Sequence, residues 1–387
     1  MSLLFNRSIP GPKTHALVIG VGSYPHAKPG QGVRPVLQTV PDLPSAADSA
    51  KLMCDWLIAN CDRLAAPLAT LEVLISDPAA PNNRYSWQSG PVDPATEAFV
   101  ASRGWKWYQR VLEEGGNVAF FYCCGHGASH LEHPVLFLED LNHHPANPWS
   151  HIDLGQLATA LRKKPSISAA FLFSDACGQY VPELELGKAQ ECRFYEEPNM
   201  FVPSRNQVAL LCAAAEGQLA YEGTDAMGSA RRFGRFTLVC LKGLDGSSAR
   251  WSRDRFAVSC HHLLADLKSL RHVFFSHWTG SEPFEPYQAV TQTDQLPIVF
   301  PHGFELPVVV MTDPLERMPD YSFVISQRSD PDPPWLKNRG AGHPGAWTTT
   351  VPPGRSALYA IAVSGASNYA LLFQPKEPLF EQWVPVS

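Results

Sequence analysis

No apolar run in this chain approaches the roughly 18–20 residues that a membrane-spanning helix needs, so nothing in it reads as a membrane segment. The opening residues, MSLLFNRSIPGPK, also lack the apolar stretch of a secretory signal, and the expected compartment is the cytoplasm. Positive charge is in short supply. The chain has 31 Lys and Arg against 37 Asp and Glu, a net charge of -6. A nucleic-acid partner would call for the opposite balance. A disulfide framework is missing too: the nine cysteines are odd in number and irregular in spacing, as free thiols are in a reducing compartment. Internal repeats and low-complexity tracts are absent. With 45% hydrophobic and 18% charged residues the chain is globular, and 387 residues suggest about two domains. Proline is the residue in excess, with 35 copies, which predicts many connections of stiffened backbone.

Apolar runs alternate with amphipathic segments over the first three quarters of the chain. Strands are expected at 15–22, 71–76, 118–122, 133–140, 168–177, 207–215 and 295–301. Helices are expected at 44–60 with Ser45 as N-cap, 96–115, 151–164 capped by Ser150, 234–244 and 257–274. This order implies an α/β fold, a mostly parallel sheet flanked by helices. From residue 304 short strand-like runs follow one another, broken by Pro, Gly, Asp and Asn, with no helical period. Residues 13–303 therefore read as one domain and 304–387 as a small β-sandwich-like second domain.

The stretch NVAFFYCCGHGASH carries a short apolar run straight into Gly125-His126-Gly127. In open α/β sheets, ligands bind at the carboxyl ends of strands. A second buried-looking run, FLFSDACG, ends in Cys177-Gly178, 51 residues after His126 and with one helix between. One strand–helix–strand step brings two strand ends side by side, so a thiol and an imidazole meet at one sheet edge. A thiolate can attack a carbonyl while an imidazole manages the proton. Backbone N–H groups of Gly127 and Cys177 are candidates for holding the oxyanion.

On these residues the chain resembles the caspase-type cysteine peptidases (peptidase C14-like), closest to the metacaspase and prokaryotic caspase branch. Roughly residues 13–300 carry the resemblance, through HALVIGVGSY, FFYCCGHG, FLFSDACGQ, ALLCAAAEGQLAYE and GRFTLVCLKGL. It implies a caspase-like (caspase–haemoglobinase) sandwich, with Cys177 as nucleophile and His126 as general acid/base. Caspases carry Gln two residues before the cysteine, whereas this chain carries Asp175, as metacaspases do. By resemblance Asp175, Asp48, Ser45 and Cys124 line the pocket for the side chain preceding the scissile bond, the P1 residue. A carboxylate there selects Arg over Lys and repels acids. A strand-end carboxylate capping backbone N–H groups is the alternative for Asp175, and a first-turn helix acid the alternative for Asp48. The segment that holds calcium in metacaspases reads Glu216-Gly217-Gln218 and keeps one acid of a pair, so no cofactor and no metal is expected. The stretch 178–206 lies where relatives are cut between subunits, and Arg193 and Lys188 are the candidate autocleavage positions. The partners implied are protein or peptide substrates and an upstream activating protease or regulatory protein, in a role such as bacterial defence or cell death. The rival reading is a catalytically latent or inactive scaffold whose C-terminal β domain binds a partner.

Other motifs are weaker. Gly20-Val21-Gly22 lacks the third glycine of a dinucleotide fingerprint, since residue 25 is Pro25. Cys123, Cys124 and His126, and the pairs His143-His144 and His261-His262, lack zinc-site spacing. Arg231-Arg232-Phe233-Gly234-Arg235 reads as a solvated basic loop, with a cleavable activation loop as the alternative. Trp105, Trp107 and Tyr108 read as helix–sheet packing.

Overall fold

A computed structural model describes residues 2–80, 90–130, 133–181, 190–198, 206–252, 254–278, 280–290, 296–327, 331, 336–364 and 368–386. The chain divides into two compact units, Met1–Leu241 with His277–Val299, and Lys242–Ser276 with Phe300–Ser387.

The first unit is built on one seven-stranded sheet. Its strands are β1 (Leu3–Asn6), β2 (Thr14–Val21), β3 (Leu68–Ser76), β4 (Val118–Gly125), β8 (Ala169–Ala176), β10 (Gln207–Cys212) and β15 (Tyr287–Val290), in the order β1-β3-β2-β4-β8-β10-β15. The five inner strands are parallel, and β1 and β15 close the two edges antiparallel. Strands β2, β3, β4 and β8 are buried along their whole length, as the unbroken apolar runs imply for strands covered on both faces. Helices α2 (Glu97–Glu113) and α3 (Leu154–Arg162) cover one face, where Trp107, Leu157 and Leu161 pack on Leu17, Phe121 and Leu172. Helix α1 (Pro44–Ala59) covers the other. There Gly20 lets the helix come so close that a Cβ would strike Ala50. Helix α4 (Arg235–Lys242) joins that face through Thr237, whose hydroxyl bonds Tyr122 at 2.6 Å.

Two further sheets sit at the carboxyl ends. One carries β7 (His151–Asp153), β6 (His133–Phe137), β5 (Gly127–His130) and β9 (Gln179–Tyr180); the other is the hairpin of β11 (Glu222–Thr224) and β12 (Arg232–Gly234). Three sequence expectations are corrected here. The segment 151–164 begins as β7, because His151 pairs with Phe137, and Asp153 rather than Ser150 caps α3 by accepting from Gln156 N–H at 2.8 Å. Ser45 does not cap α1. Pro44 already occupies the first turn, the N-cap is Leu43, and the Ser45 hydroxyl turns to Glu222. The segment 257–274 starts as a strand, β14 (Arg255–Ser259), paired with β13 (Arg250–Ser252). Its last residue, Ser259, caps helix α5 (Cys260–Phe274).

The second unit holds that hairpin and helix together with two C-terminal sheets. Strands β20 (Trp347–Val351), β17 (Leu306–Asp313) and β23 (Phe380–Pro385) form one. Strands β19 (Lys337–Arg339), β18 (Tyr321–Ser326), β21 (Ser356–Ala362) and β22 (Tyr369–Phe373) form the other. Val308, Val310, Phe323, Ile325 and Leu358 share one apolar cluster between them. Among the described residues between these strands, one short 3-10 turn, Leu315–Asp320, follows β17. Among the described residues no helix is long and apolar enough to cross a membrane.

Candidate active site

Strands β4 and β8 are parallel neighbours, and their ladder ends on the pair Gly125↔Ala176. The next residue of each strand is His126 and Cys177, so the two groups leave the sheet at the same level on adjacent strands. The loops that carry them touch. A Cβ on Gly127 would lie 2.9 Å from the Cys177 carbonyl oxygen and 2.5 Å from that of Val135, so only glycine fits between them.

The imidazole is held by groups distant in sequence. Its backbone N–H donates to the Tyr24 hydroxyl at 2.8 Å, and the Tyr24 and His126 ring centroids are 5.0 Å apart. Its Nε2 lies 2.9 Å from the Pro41 carbonyl oxygen. A carbonyl only accepts, so this bond puts the proton on Nε2 and leaves Nδ1 as the basic nitrogen. Burial lowers the pKa of His126, against opposing contributions from the Pro41 carbonyl and the Glu222 and Asp42 carboxylates. The ring is therefore neutral at neutral pH. Cys177 is half-buried. Ala220 N–H donates to its sulfur at 3.4 Å, and the thiol faces the Ala220 carbonyl at 3.8 Å. Burial pushes the thiol pKa up, Ala220 N–H works against it, and the Asp175 carboxylate adds to it. Next to it, Gly178 is zipped to the following turn. Its N–H donates to Gln218 O at 3.0 Å, and its carbonyl accepts from Gly217 N–H at 2.8 Å.

Asp175 lies on β8 opposite Cys124 of β4, and both are buried. One oxygen of Asp175 accepts from Thr237 N–H at 3.0 Å and from the Thr237 hydroxyl at 2.5 Å, in the first turn of α4. Burial raises its pKa to about 6, only partly offset by the two Thr237 bonds. Gly234 gives this carboxylate its space, since a Cβ there would overlap it. Asp175 thus makes a backbone N–H contact of the kind a strand-end capping carboxylate makes. Asp48 and Ser45 lie on the face of α1 turned to the β11–β12 hairpin, as does Ser49, which accepts from Gly234 N–H at 2.9 Å. Ser45 donates to Glu222, while Asp48 pairs with Arg231 and with Lys51.

Sequence reasoning did not single out Tyr24, Pro41, Glu222 or Thr237. Glu222 is the last residue of the stretch AEGQLAYE, and its charge acts on both His126 and Asp175. Arg193 is placed apart from this cluster, paired with Glu191 at 2.6 Å and Glu197 at 2.8 Å. Lys188 lies outside the described residues.

The caspase domain, by its family description, matches residues 102–230, a span that contains both His126 and Cys177. No curated protein matches the chain. Among solved structures, caspase-1 from Spodoptera frugiperda is similar at 12% identity, over 76% of this chain and 92% of that one, with a TM-score of 0.42. Over residues 102–230, which include strands β4, β8 and β10 of the sheet, the chain is similar to the caspase domain.

Proposed function

We propose that the protein is a cysteine endopeptidase that cuts after basic P1 residues, Arg before Lys, with Cys177 as nucleophile and His126 as acid/base. The observation that carries this reading is the shared end of β4 and β8, which sets a thiol and a neutral imidazole at one level beside an acidic cluster. With the thiol pKa raised and that of the imidazole lowered, the resting pair is neutral. His126 Nδ1 takes the thiol proton as Sγ bonds to the scissile carbonyl carbon, and the carbonyl π electrons move to oxygen. The C–N bond then breaks and the same proton leaves on the amine. Water next attacks the thioester, giving up a proton through His126, and Cys177 returns as thiol. Backbone N–H groups of Gly127 and Cys177 are the assigned oxyanion donors.

Three carboxylates support the basic preference: Asp175, Glu222 and Asp48. Asp175 is deep and neutralised near pH 6, whereas Glu222 and Asp48 are closer to the surface. A guanidinium entering among them gains charge-assisted hydrogen bonds that a neutral or acidic P1 group cannot make. A place in defence or cell death belongs to the same reading and rests on the resemblance alone.

The test is cleavage of matched fluorogenic peptides with Arg, Lys, Asp or Asn at P1, for the unaltered chain, Cys177→Ala and Asp175→Ala. Arg cleavage that vanishes in Cys177→Ala and falls at least about tenfold in Asp175→Ala supports the assignment. Preferential cleavage after Asp overturns the specificity. Cleavage that survives in Cys177→Ala overturns the nucleophile.

A further inference from the structure

The basic run Arg231-Arg232-Phe233-Gly234-Arg235 is not a freely solvated loop. Residues 232–234 form β12, which pairs with β11 and packs against α1 through the Gly234–Ser49 bond. The stretch before β12 is open: residues 225–228 are exposed, Met227 is 84% exposed, and Gly228 turns the chain with φ of 81°. At the end of this arm Arg231 reaches back onto α1. Its Nε lies 3.1 Å from one Asp48 oxygen and its terminal nitrogen 2.9 Å from the other, a two-pronged pairing. Its guanidinium lies over the Phe233 ring, 5.1 Å from the centroid. The next residue, Arg232, stands 3.4 Å from Glu222.

The two more exposed acids of the proposed P1 pocket therefore each hold an arginine from β12 and the turn leading into it. Lys51 shares Asp48, but it is also paired with Asp77 at 2.8 Å and adds little free positive charge. Counted together, Asp48 and Glu222 against Arg231 and Arg232 give no net charge. A basic side chain arriving from outside finds these two outer counter-charges already matched.

We propose that Arg231 is an internal stand-in for the substrate's basic P1 side chain, an arm of the chain that occupies Asp48 until a substrate or a cut in the exposed 225–231 stretch displaces it. This rests on the basic-pocket reading above. The guanidinium is well placed for the role. Its side chain is 57% exposed, so the pairing is weak enough to be exchanged, whereas a buried arginine would be fixed. The arm is the connection of the β11–β12 hairpin, closed at its base by the Thr224–Arg232 pair, while its 225–228 turn is open to solvent. Arg231 thus sets a threshold for entry and takes no part in bond breaking.

The experiment is calorimetric titration of the full chain with benzamidine, a small aryl amidinium that mimics the arginine head group. The proteins compared are the unaltered chain, Arg231→Ala and the double variant Arg231→Ala/Asp48→Asn. The stand-in predicts that Arg231→Ala binds about three- to fivefold tighter than the unaltered chain, the scale of an exposed ion pair removed. It also predicts that the double variant loses this gain. Equal, saturable binding by the unaltered chain and Arg231→Ala would overturn the stand-in and leave the basic pocket standing. A gain that persists in the double variant would also overturn it, because the gain would not run through Asp48. No saturable binding by any of the three would overturn the basic pocket itself.

Discussion

At Asp175 a single carboxyl sits behind the nucleophile, buried and bonded to Thr237, with its pKa raised to about 6. Because the folded value lies above the ordinary one of 3.8, the folded chain holds this proton more tightly than the unfolded chain. Stability from this group is therefore greatest below pH 4 and declines as pH rises toward 6, where the buried carboxylate must ionise. Asp175→Asn is expected to flatten that decline, measured as unfolding free energy in urea at pH 4 and pH 7. An unchanged slope would mean that the group is not buried in solution. Selectivity moves the other way: the preference for Arg over a neutral P1 residue should fall as pH drops through about 6 and the carboxyl loses its charge. His126 and Cys177 were legible in the sequence because each follows an apolar strand and precedes glycine. Tyr24 and Pro41 were not, since they reach His126 across 102 and 85 residues of chain. Pro41 acts through a carbonyl oxygen that every residue type possesses.

Among the elements, the parallel strands and helices α1 and α2 lie close to where apolar run and amphipathic period put them. Edge strands β1 and β15 escaped notice because four-residue strands leave too little pattern. Strand β7 and the end of β14, residues 257–259, were absorbed into the helices that follow them, since their cross-strand partners leave no signal in the local sequence. Arg193 belongs to this scale. Its two ion pairs lie beside Phe194, which is buried against Gly104 with its ring 6.2 Å from that of Trp107. Cys192 N–H donates to His151 O at 2.7 Å. A protease needs several residues of extended, accessible chain, and here the segment is pinned on both sides of Arg193. The folded protein is expected to stay intact at this bond, checked by intact mass after incubation at concentrations where peptide turnover is rapid. A fragment beginning at Phe194 would show that the pins release. Phe194→Ala, which frees the segment and removes about 3–5 kcal/mol of packing, should make the bond cleavable.

For the whole molecule, the alternation of strand and helix set the fold class, and the β-rich tail is present as two sheets. What composition did not reveal is that the second unit also gathers residues 242–276 from the middle of the chain. Within it Phe304 lies against Gly246 and 5.3 Å from the Phe256 ring, and Trp251 N–H donates to Lys376 O at 3.1 Å. Arg250 is paired with Asp266 at 2.7 Å. Such contacts join segments far apart in sequence and leave no local periodicity to read. A chain ending at residue 303 would strip Phe256 and Trp251 of these partners. It is expected to bind more of an apolar-surface dye and to melt at lower temperature than the full chain. An equally cooperative, dye-silent 1–303 product would make the C-terminal sheets independent of residues 242–276.

The ladder that ends on Gly125↔Ala176 has a further consequence, for how this gene can change length. The spacing of His126 and Cys177 is set across two hydrogen-bonded strands and not along the residues that connect them. Codons gained or lost at the exposed loop tip 143–146 alter only the slack, and lengthening such a tip costs little. One codon lost within 118–125 or 169–176 slides a strand by about 3.3 Å and turns its side chains to the opposite face. Length variants of this protein should therefore accumulate between the two strands and be purged within them.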